Sequence, residues 1–170
     1  MRVLTVRQPW AWAIIHGGKD VENRVRNIAG AYRGPVAIHA AQAVDTSADE
    51  AIHRDLRFRT LSDALAATNK WRRETADAYF ARGVIIGVVD LVDVHHAAEC
   101  VYVGSAVEDF DGNFVSQEVT YCSAWAEDAN VYHLTMAKPR PIADPIPYQG
   151  ALGLRTLDEA TCIAVWEAIA

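Results

Sequence analysis

The stretch RVLTVRQPWAWAIIHGGKDVENR, residues 2–24, predicts three short elements in immediate succession. Residues 2–6 are apolar and β-branched, which favours a strand. Pro9 is tolerated in the first turn of a helix, so a short helix is expected over residues 10–16, where a pair of glycines ends it. Residues 19–25 alternate between apolar and polar side chains, as a strand with one polar face does. A strand, a helix, a glycine turn and a second strand therefore open the fold.

Further strands are predicted downstream, on both sides of a helical region. Residues 47–82 have apolar side chains at helical spacing and begin with a capping-box pattern, so they are interpreted as a helical insertion. Asp111-Gly112-Asn113 is typical of a hairpin turn. Four prolines make residues 138–150 either an edge strand or an irregular cover over the mouth of a barrel. The predicted strands are the runs PVAIHAA (35–41), GVIIGVVDLVDV (83–94) and VYHLTM (131–136).

A closing helix is predicted at the C-terminal end of the chain. The residues Thr156 to Glu159 match a capping box, which marks the start of a helix. Its apolar side chains are expected to face the core, and they are Cys162, Val165, Trp166 and Ile169. Since no regular strand-helix alternation is present, the elements predict an α+β fold rather than a doubly wound sheet.

We expect one domain over residues 1–170, with five to seven strands in a curled sheet or small β-barrel and with flanking helices. The chain has no run of 18 apolar residues and no signal-peptide pattern, so a cytoplasmic protein with no membrane partner is expected. The three cysteines, Cys100, Cys122 and Cys162, are widely spaced and odd in number. We expect them to be reduced thiols.

Charge is distributed unevenly along the chain, whose net charge is −6. Residues 1–40 carry six Arg or Lys side chains and two acidic ones, whereas residues 83–137 carry nine acidic side chains and no Arg or Lys. A local positive field attracts an anionic partner even on an acidic protein, although the two segments can also neutralise each other. Affinity for long nucleic acid needs many phosphate contacts, so a small ligand or a short single strand suits this chain better.

The opening stretch, with YRGPVAIHAA at 32–41, resembles the ASCH domain family, a branch of the PUA-like superfamily. The family signature is G-x-K-x-x-E-x-R after a strand and a Q-P-[WY] helix, and residues 123–157 are similar to the later Trp-containing loop, strand and Pro-rich segment. The residues that match the signature are Gly17, Lys19, Glu22 and Arg24. The resemblance implies a barrel of about six strands with a cleft beside this element, and binding of RNA or nucleosides.

Some members of this family hydrolyse the amide of N4-acetylcytidine, and others are reported to cut RNA. The amidohydrolase type carries a Thr where this chain has Glu22. A Thr hydroxyl can attack an acyl carbon, whereas a carboxylate in its place would form a mixed anhydride. The chain therefore departs from the amidohydrolase pattern at the nucleophile.

The residues after the glycine pair also support a binding site on physical grounds. Lys19 follows a tight bend that places its ammonium at the rim of a cleft. Glu22 and Arg24 lie on one face of a strand, where they pair or jointly present an acceptor and donors to a nucleobase. A solvated ion pair of little energetic value is the alternative interpretation. Trp10 or Trp12 can stack on the base, but not both, because positions i and i+2 of a helix face different ways.

Two further polar residues are candidates for ligand contacts. The amide of Gln8 suits the edge of a base, although it also suits helix capping. His39, at the end of an apolar strand, is a candidate general base or a packed histidine bonded to backbone. A second carboxylate for acid–base chemistry is sought among Asp90, Asp93 and Glu127.

A metal site is not expected. His95, His96, Glu99 and Cys100 look like metal ligands, but adjacent histidines on an extended chain point opposite ways and the sequence shows no second pair that completes four ligands. No nucleotide-cofactor motif is present either, so no cofactor is expected.

The sequence thus predicts a protein that binds RNA or a modified nucleoside. The expected ligand-binding residues are Gln8, Trp10, Lys19, Glu22, Arg24 and His39. The alternative is a hydrolase of the N4-acetylcytidine type, in which Lys19 activates water or stabilises an oxyanion and Glu22 passes protons to the leaving amine. Cleavage of RNA is an enzymatic hypothesis with less support. A third hypothesis is a protein-interaction domain that uses residues 138–150.

Overall fold

The computed structural model describes residues 1–46, 76–100, 102–108 and 114–170. Most of the predicted helical insertion and the predicted turn at 111–113 lie outside these residues. The described strands are β1 (Arg2–Gln8), β2 (Val21–Arg24), β3 (Gly34–Val44), β4 (Val84–His96), β5 (Tyr102–Glu108), β6 (Phe114–Thr120), β7 (Tyr132–Pro147) and β8 (Leu154–Thr156). The described helices are α1 (Trp10–His16), α2 (Ala76–Phe80) and α3 (Glu159–Ala168), with a 3₁₀ turn at Ala97–Glu99.

Six of these strands form one mixed sheet in the order β2-β7-β4-β3-β1-β8. Only β1 and β3 run parallel, and the other neighbours are antiparallel. Within the described part of the chain, β2 and β8 are the two edges, so the sheet is open. The α+β prediction is confirmed, in the form of a curled sheet rather than a closed barrel. β5 and β6 pair antiparallel in a separate two-stranded sheet, as the predicted hairpin requires.

The centre of the sheet explains its apolar sequence. β4 lies between β3 and β7, and its residues Ile85 to Val89 are all buried, which is expected of a strand covered on both faces. One face packs a cluster that includes Leu4, Ile14 and Leu134. The other face packs against α3, whose Val165 is fully buried.

Helix α1 connects β1 to β2 and places the start of β2 close to the core. The helix ends at Gly17, where a Cβ would lie 2.9 Å from the Ala13 Cα and force a shift of the backbone. Gly18 follows with a φ of 73°, a left-handed conformation that glycine adopts without strain. The glycine pair therefore ends the helix and turns the chain into β2, as predicted.

The proline-rich segment is an edge strand, the first of its two predicted alternatives. β7 continues through residues 138–147 and pairs with β4 on one side, while β2 pairs only with residues 132–135 of β7. Among the described strands, none pairs with the other side of residues 138–147. Prolines are tolerated there because an unpaired edge needs no ladder donor.

Two details of the closing helix differ from the sequence prediction. The N-cap is Asp158, whose carboxylate accepts the Thr161 N–H at 2.9 Å, because residues 154–156 form β8 and cannot begin the helix. Trp166 is 44% exposed, so the prediction that it faces the core is wrong. Val165 alone occupies the centre of the contact, with Cys162 and Ile169 partly buried beside it. None of the described helices has both the length and the apolar character needed to cross a membrane.

Candidate functional site

A cavity of about 1640 Å³ lies beside the paired glycines. Its walls come from the end of β1, the start of α1, strands β2 and β3, and the loops at 124–127 and 147–153. This volume exceeds the roughly 300–1,000 Å³ of ordinary small-molecule sites. Five of the six predicted ligand-binding residues line it, namely Trp10, Lys19, Glu22, Arg24 and His39.

Lys19 is buried in the wall of the cavity, with 5% of its surface exposed. Its Nζ donates to the Val21 carbonyl and lies 3.5 Å from the Glu22 Oε2. The same ammonium lies 5.4 Å from the centre of the Trp10 ring and 5.8 Å from that of Trp125. A carboxylate, a carbonyl and two indole faces all stabilise the positive charge, so this side chain is held in one place.

Glu22 links the ammonium to a second cation. Its Oε1 lies 3.0 Å from Nη2 of Arg24, which also donates to the Thr5 carbonyl at 3.1 Å. The Arg24 Nε has no hydrogen-bond partner among the described residues. Glu22 is 8% exposed, whereas the side chain of Arg24 is 31% exposed. The three charged groups therefore form a connected set, with the guanidinium nearest the open space.

The two tryptophans of α1 separate as the helix geometry predicts. Trp10 is partly buried, lines the cavity and donates from Nε1 to Asp45 Oδ2 at 3.0 Å. Its ring meets Trp125 edge to face, with the ring centres 6.3 Å apart. Trp12 is fully buried in a cluster with Val21. Only the first of the two indoles can reach a ligand.

Gln8 does not join the other candidates. It is 2% exposed and is absent from the residues that line the cavity. Its Nε2 donates to the carbonyls of Ala78 and Ala81, and its Oε1 accepts the Trp12 N–H at 3.0 Å. The amide is thus used to join β1, α1 and the end of α2, and the helix-capping alternative describes it better than base recognition.

His39 lines the cavity but is almost entirely buried, with 2% exposed. Its Nδ1 lies 3.2 Å from the Thr5 Oγ1, and its ring meets Tyr148 edge to face. Gly150 packs so closely that a Cβ there would lie 2.5 Å from the imidazole. Burial lowers the pKa of His39 below 6.5, because the charged form loses hydration. The ring is therefore neutral at pH 7.

Several residues of the site were not predicted from the sequence. Asn23 donates to the Trp125 carbonyl at 2.9 Å and accepts the Glu127 N–H at 3.2 Å, which fixes the loop that carries Trp125. The loop from Tyr148 to Gly153 forms another wall. Both loops are distant in sequence from β2. Trp125 was the one residue in them whose type suggested a ligand site.

Three residues were candidates for a second carboxylate, and the fold places only one of them at the cavity. Asp90 pairs with Arg140 at 2.6 Å, and Asp93 lies 2.8 Å from the His95 Nδ1, so both are engaged outside the cavity. Glu127 lines the cavity. Of the three candidates, it is the one placed with Glu22.

The expectation that no four-ligand set forms is wrong. The imidazoles and thiols of His95, Cys100, Cys122 and His133 each offer one ligand atom, and these atoms all lie within 4.8 Å of one another. The two histidines of the adjacent pair do point apart, since His96 bonds to Asn130 instead. Burial, and after it the Cys100 thiol, raises the pKa of Cys122 to about 12. Residues far apart in sequence supply the missing pair, which spacing alone did not reveal.

A family model described as the ASCH domain matches residues 4–139 of the chain. The matched range runs from β1 into β7 and includes every cavity residue except those of the 147–153 loop. A search of curated proteins found no match.

Proposed function

The chain belongs to the ASCH domain family, and from that premise we propose that its cavity binds one base of an RNA or of a modified nucleoside. Membership of this family is consistent with RNA binding. The observation that carries the proposal is the connected set of Lys19, Glu22 and Arg24 in the wall of a large cavity, next to two indole rings. A cavity with a few convergent polar groups is the usual form of a ligand-binding site.

The hydrogen-bonding groups of this set match the edge of a base. A nucleobase presents amide-like donors and acceptors, which a carboxylate and a guanidinium satisfy together. The Arg24 side chain lines the cavity and is 31% exposed, so part of its guanidinium is open to a ligand. We expect Arg24 to donate hydrogen bonds directly to the ligand, with Glu22 and Lys19 behind it.

The charge balance of the cavity favours a single base over a long strand. Among the described lining residues, the cations are Arg7, Lys19 and Arg24 and the carboxylates are Glu22, Asp45 and Glu127, so their formal charges cancel. Binding of a long nucleic acid depends on many phosphate contacts with a positive surface. A flat heterocycle held by stacking and hydrogen bonds needs no such surface.

The direct test is isothermal titration of the protein with a panel of nucleosides and short single-stranded RNAs. We expect one member of the panel to bind, and Arg24→Gln to weaken it by about 10- to 100-fold, the value of a hydrogen bond to a charged group. Arg26→Gln is the matched control, since Arg26 is exposed and does not line the cavity. Absence of heat for the wild-type protein across the panel would overturn the proposal.

Hydrolase activity in the same cavity is the second candidate function, because the Lys19 ammonium and the Glu22 carboxylate lie together in a buried wall. In that reaction Glu22 would take a proton from water as the oxygen adds to the acyl carbon of an N4-acylated cytidine. Lys19 would stabilise the oxyanion, and the proton on Glu22 would pass to the departing nitrogen, giving a carboxylic acid and cytidine. The contacts of Lys19 fix the position of its ammonium, which suits it to stabilise an oxyanion.

Incubation with N4-acetylcytidine, followed by chromatography of released cytidine, separates the two functions. Turnover that disappears in Glu22→Gln but persists in Glu167→Gln, an exposed residue of α3, favours the hydrolase. Binding heat with no cytidine release favours the binding protein. Shortening of the RNA oligomers in the titration cell would instead indicate the ribonuclease variant.

A further inference from the structure

Two histidines and two cysteines from separate segments meet beside the β4–β7 pair. Cys100 and His133 are buried, with 2% and 0% of their surfaces exposed, and 18% of the His95 side chain is exposed. The 3₁₀ turn after β4 reverses the chain, and its closing bond from Cys100 N–H to the Ala97 carbonyl is 3.0 Å long. Cys122 follows β6, and His133 lies on β7. The topology therefore brings two sulfur donors and two nitrogen donors close together.

Each imidazole is anchored at one nitrogen by an oxygen atom outside the cluster. His133 Nε2 lies 3.0 Å from the Glu127 carbonyl, which it can only approach as a donor, so its Nδ1 carries the lone pair, 3.5 Å from the Cys122 sulfur. His95 Nδ1 lies 2.8 Å from a carboxylate oxygen of Asp93. Its Nε2 is buried and bonds to no described residue. Metal-bound histidines have this arrangement, with the outer nitrogen fixed by a carbonyl or carboxylate.

The two sulfur atoms also lie close to each other. The Cys122 backbone N–H donates to the Cys100 Sγ at 2.9 Å. A bond of this kind is stronger when the acceptor is ionised. Two thiolates side by side repel each other, so both form together only when a cation lies between them.

We infer that these four donor atoms bind one Zn²⁺ ion. Two sulfur and two nitrogen ligands are one of the sets that bind structural, tetrahedral zinc. In such a site neighbouring donors are about 3.3–3.8 Å apart, so donor atoms that now lie within 4.8 Å of one another have to approach by at most about 1.5 Å. On binding, the two thiols lose their protons to solvent and the neutral imidazoles donate lone pairs, so no electron transfer is involved. Four protein ligands leave no open position, which makes the site structural rather than catalytic.

The zinc ion would stabilise one wall of the cavity and would not contact a base bound there. The segment between Cys122 and His133 contains Trp125 and Glu127, both of which line the cavity. His133 itself bonds to the Glu127 carbonyl. Metal binding therefore fixes both ends of this loop, independently of whether the cavity binds a base.

The first test is metal analysis of the full chain, purified under reducing conditions without added chelator. We expect about one zinc ion per chain in the wild-type protein, and its loss in Cys122→Ser. Cys162→Ser is the matched control, because that thiol lies on α3, outside the cluster, and should leave the zinc content unchanged. Wild-type protein that contains no zinc and takes up none when Zn²⁺ is added would overturn the inference, as would a disulfide between Cys100 and Cys122.

The second test can be decided with the wild-type protein, so it does not depend on whether a variant folds. Chelator-treated wild-type protein is titrated with Co²⁺, and we expect the visible bands of a tetrahedral ion together with thiolate charge-transfer absorption. His95→Cys keeps four ligands and should strengthen the charge-transfer band, whereas His95→Ala should weaken binding. An octahedral Co²⁺ spectrum without charge transfer in the wild-type protein would contradict a Cys₂His₂ site.

Discussion

Trp10 and Trp12 lie two positions apart on one short helix, and their environments assign them different roles. Trp12 is fully buried and packs against Val21, while Trp10 lines the cavity. The helical period predicted this separation, but not which of the two would face inward. The choice depends on where β2 and the 124–127 loop pack, which is tertiary information.

Replacing each tryptophan by alanine should therefore affect a different property. Trp12→Ala is expected to lower the free energy of unfolding by about 3–5 kcal/mol, because it leaves a large cavity in the core. Trp10→Ala should weaken base binding by about 5- to 150-fold through lost stacking. Urea denaturation and isothermal titration measure the two effects, with Trp166→Ala as the exposed control. Equal losses of affinity in all three variants would contradict the assignment.

At the scale of elements, the loop from Tyr121 to Val131 is held by side chains of other segments. Asn23 on β2 makes two hydrogen bonds to its backbone, and Asp20 accepts a hydrogen bond from its Ser123 hydroxyl. The sequence predicted β2 from its alternation and placed Lys19, Glu22 and Arg24 at one site. It did not predict the loop contacts, because local periodicity carries no information on pairing between distant segments.

Asn23→Ala tests how far this anchoring matters. The change leaves the Trp125 carbonyl and the Glu127 N–H without their partner, and we expect the free energy of unfolding to fall by about 1–3 kcal/mol. Asn23→Asp keeps an acceptor for the Glu127 N–H and should lose less. Limited proteolysis should cut the 121–131 loop faster in the alanine variant than in the wild-type protein. Identical cleavage rates would show that other contacts suffice to hold the loop.

At the scale of the whole molecule, the order of elements was predictable and the way in which the sheet ends was not. Continuous β-branched runs identified the central strands, since burial on both faces leaves no polar alternation. Whether β2 and β8 meet depends on sheet twist and on the length of β7, which extends through four prolines. The cluster of His95, Cys100, Cys122 and His133 escaped prediction for a related reason, because His95 and His133 lie on paired strands whose register the sequence does not specify.

The stability of the whole molecule should also depend on pH, through the buried His39 and the partly buried His16. Burial lowers the pKa of His39 and of His16 below 6.5, so the unfolded chain takes up these protons more readily than the folded one. The free energy of unfolding should therefore be constant above about pH 7 with respect to these groups. It should decrease below pH 6.5, by at most about 1.4 kcal/mol per pH unit for each histidine. His39→Gln removes one of the two contributions and keeps that of His16, so urea denaturation between pH 7 and 5 should show a shallower decrease. A slope identical to that of the wild-type protein would mean that His39 takes up its proton equally in both states.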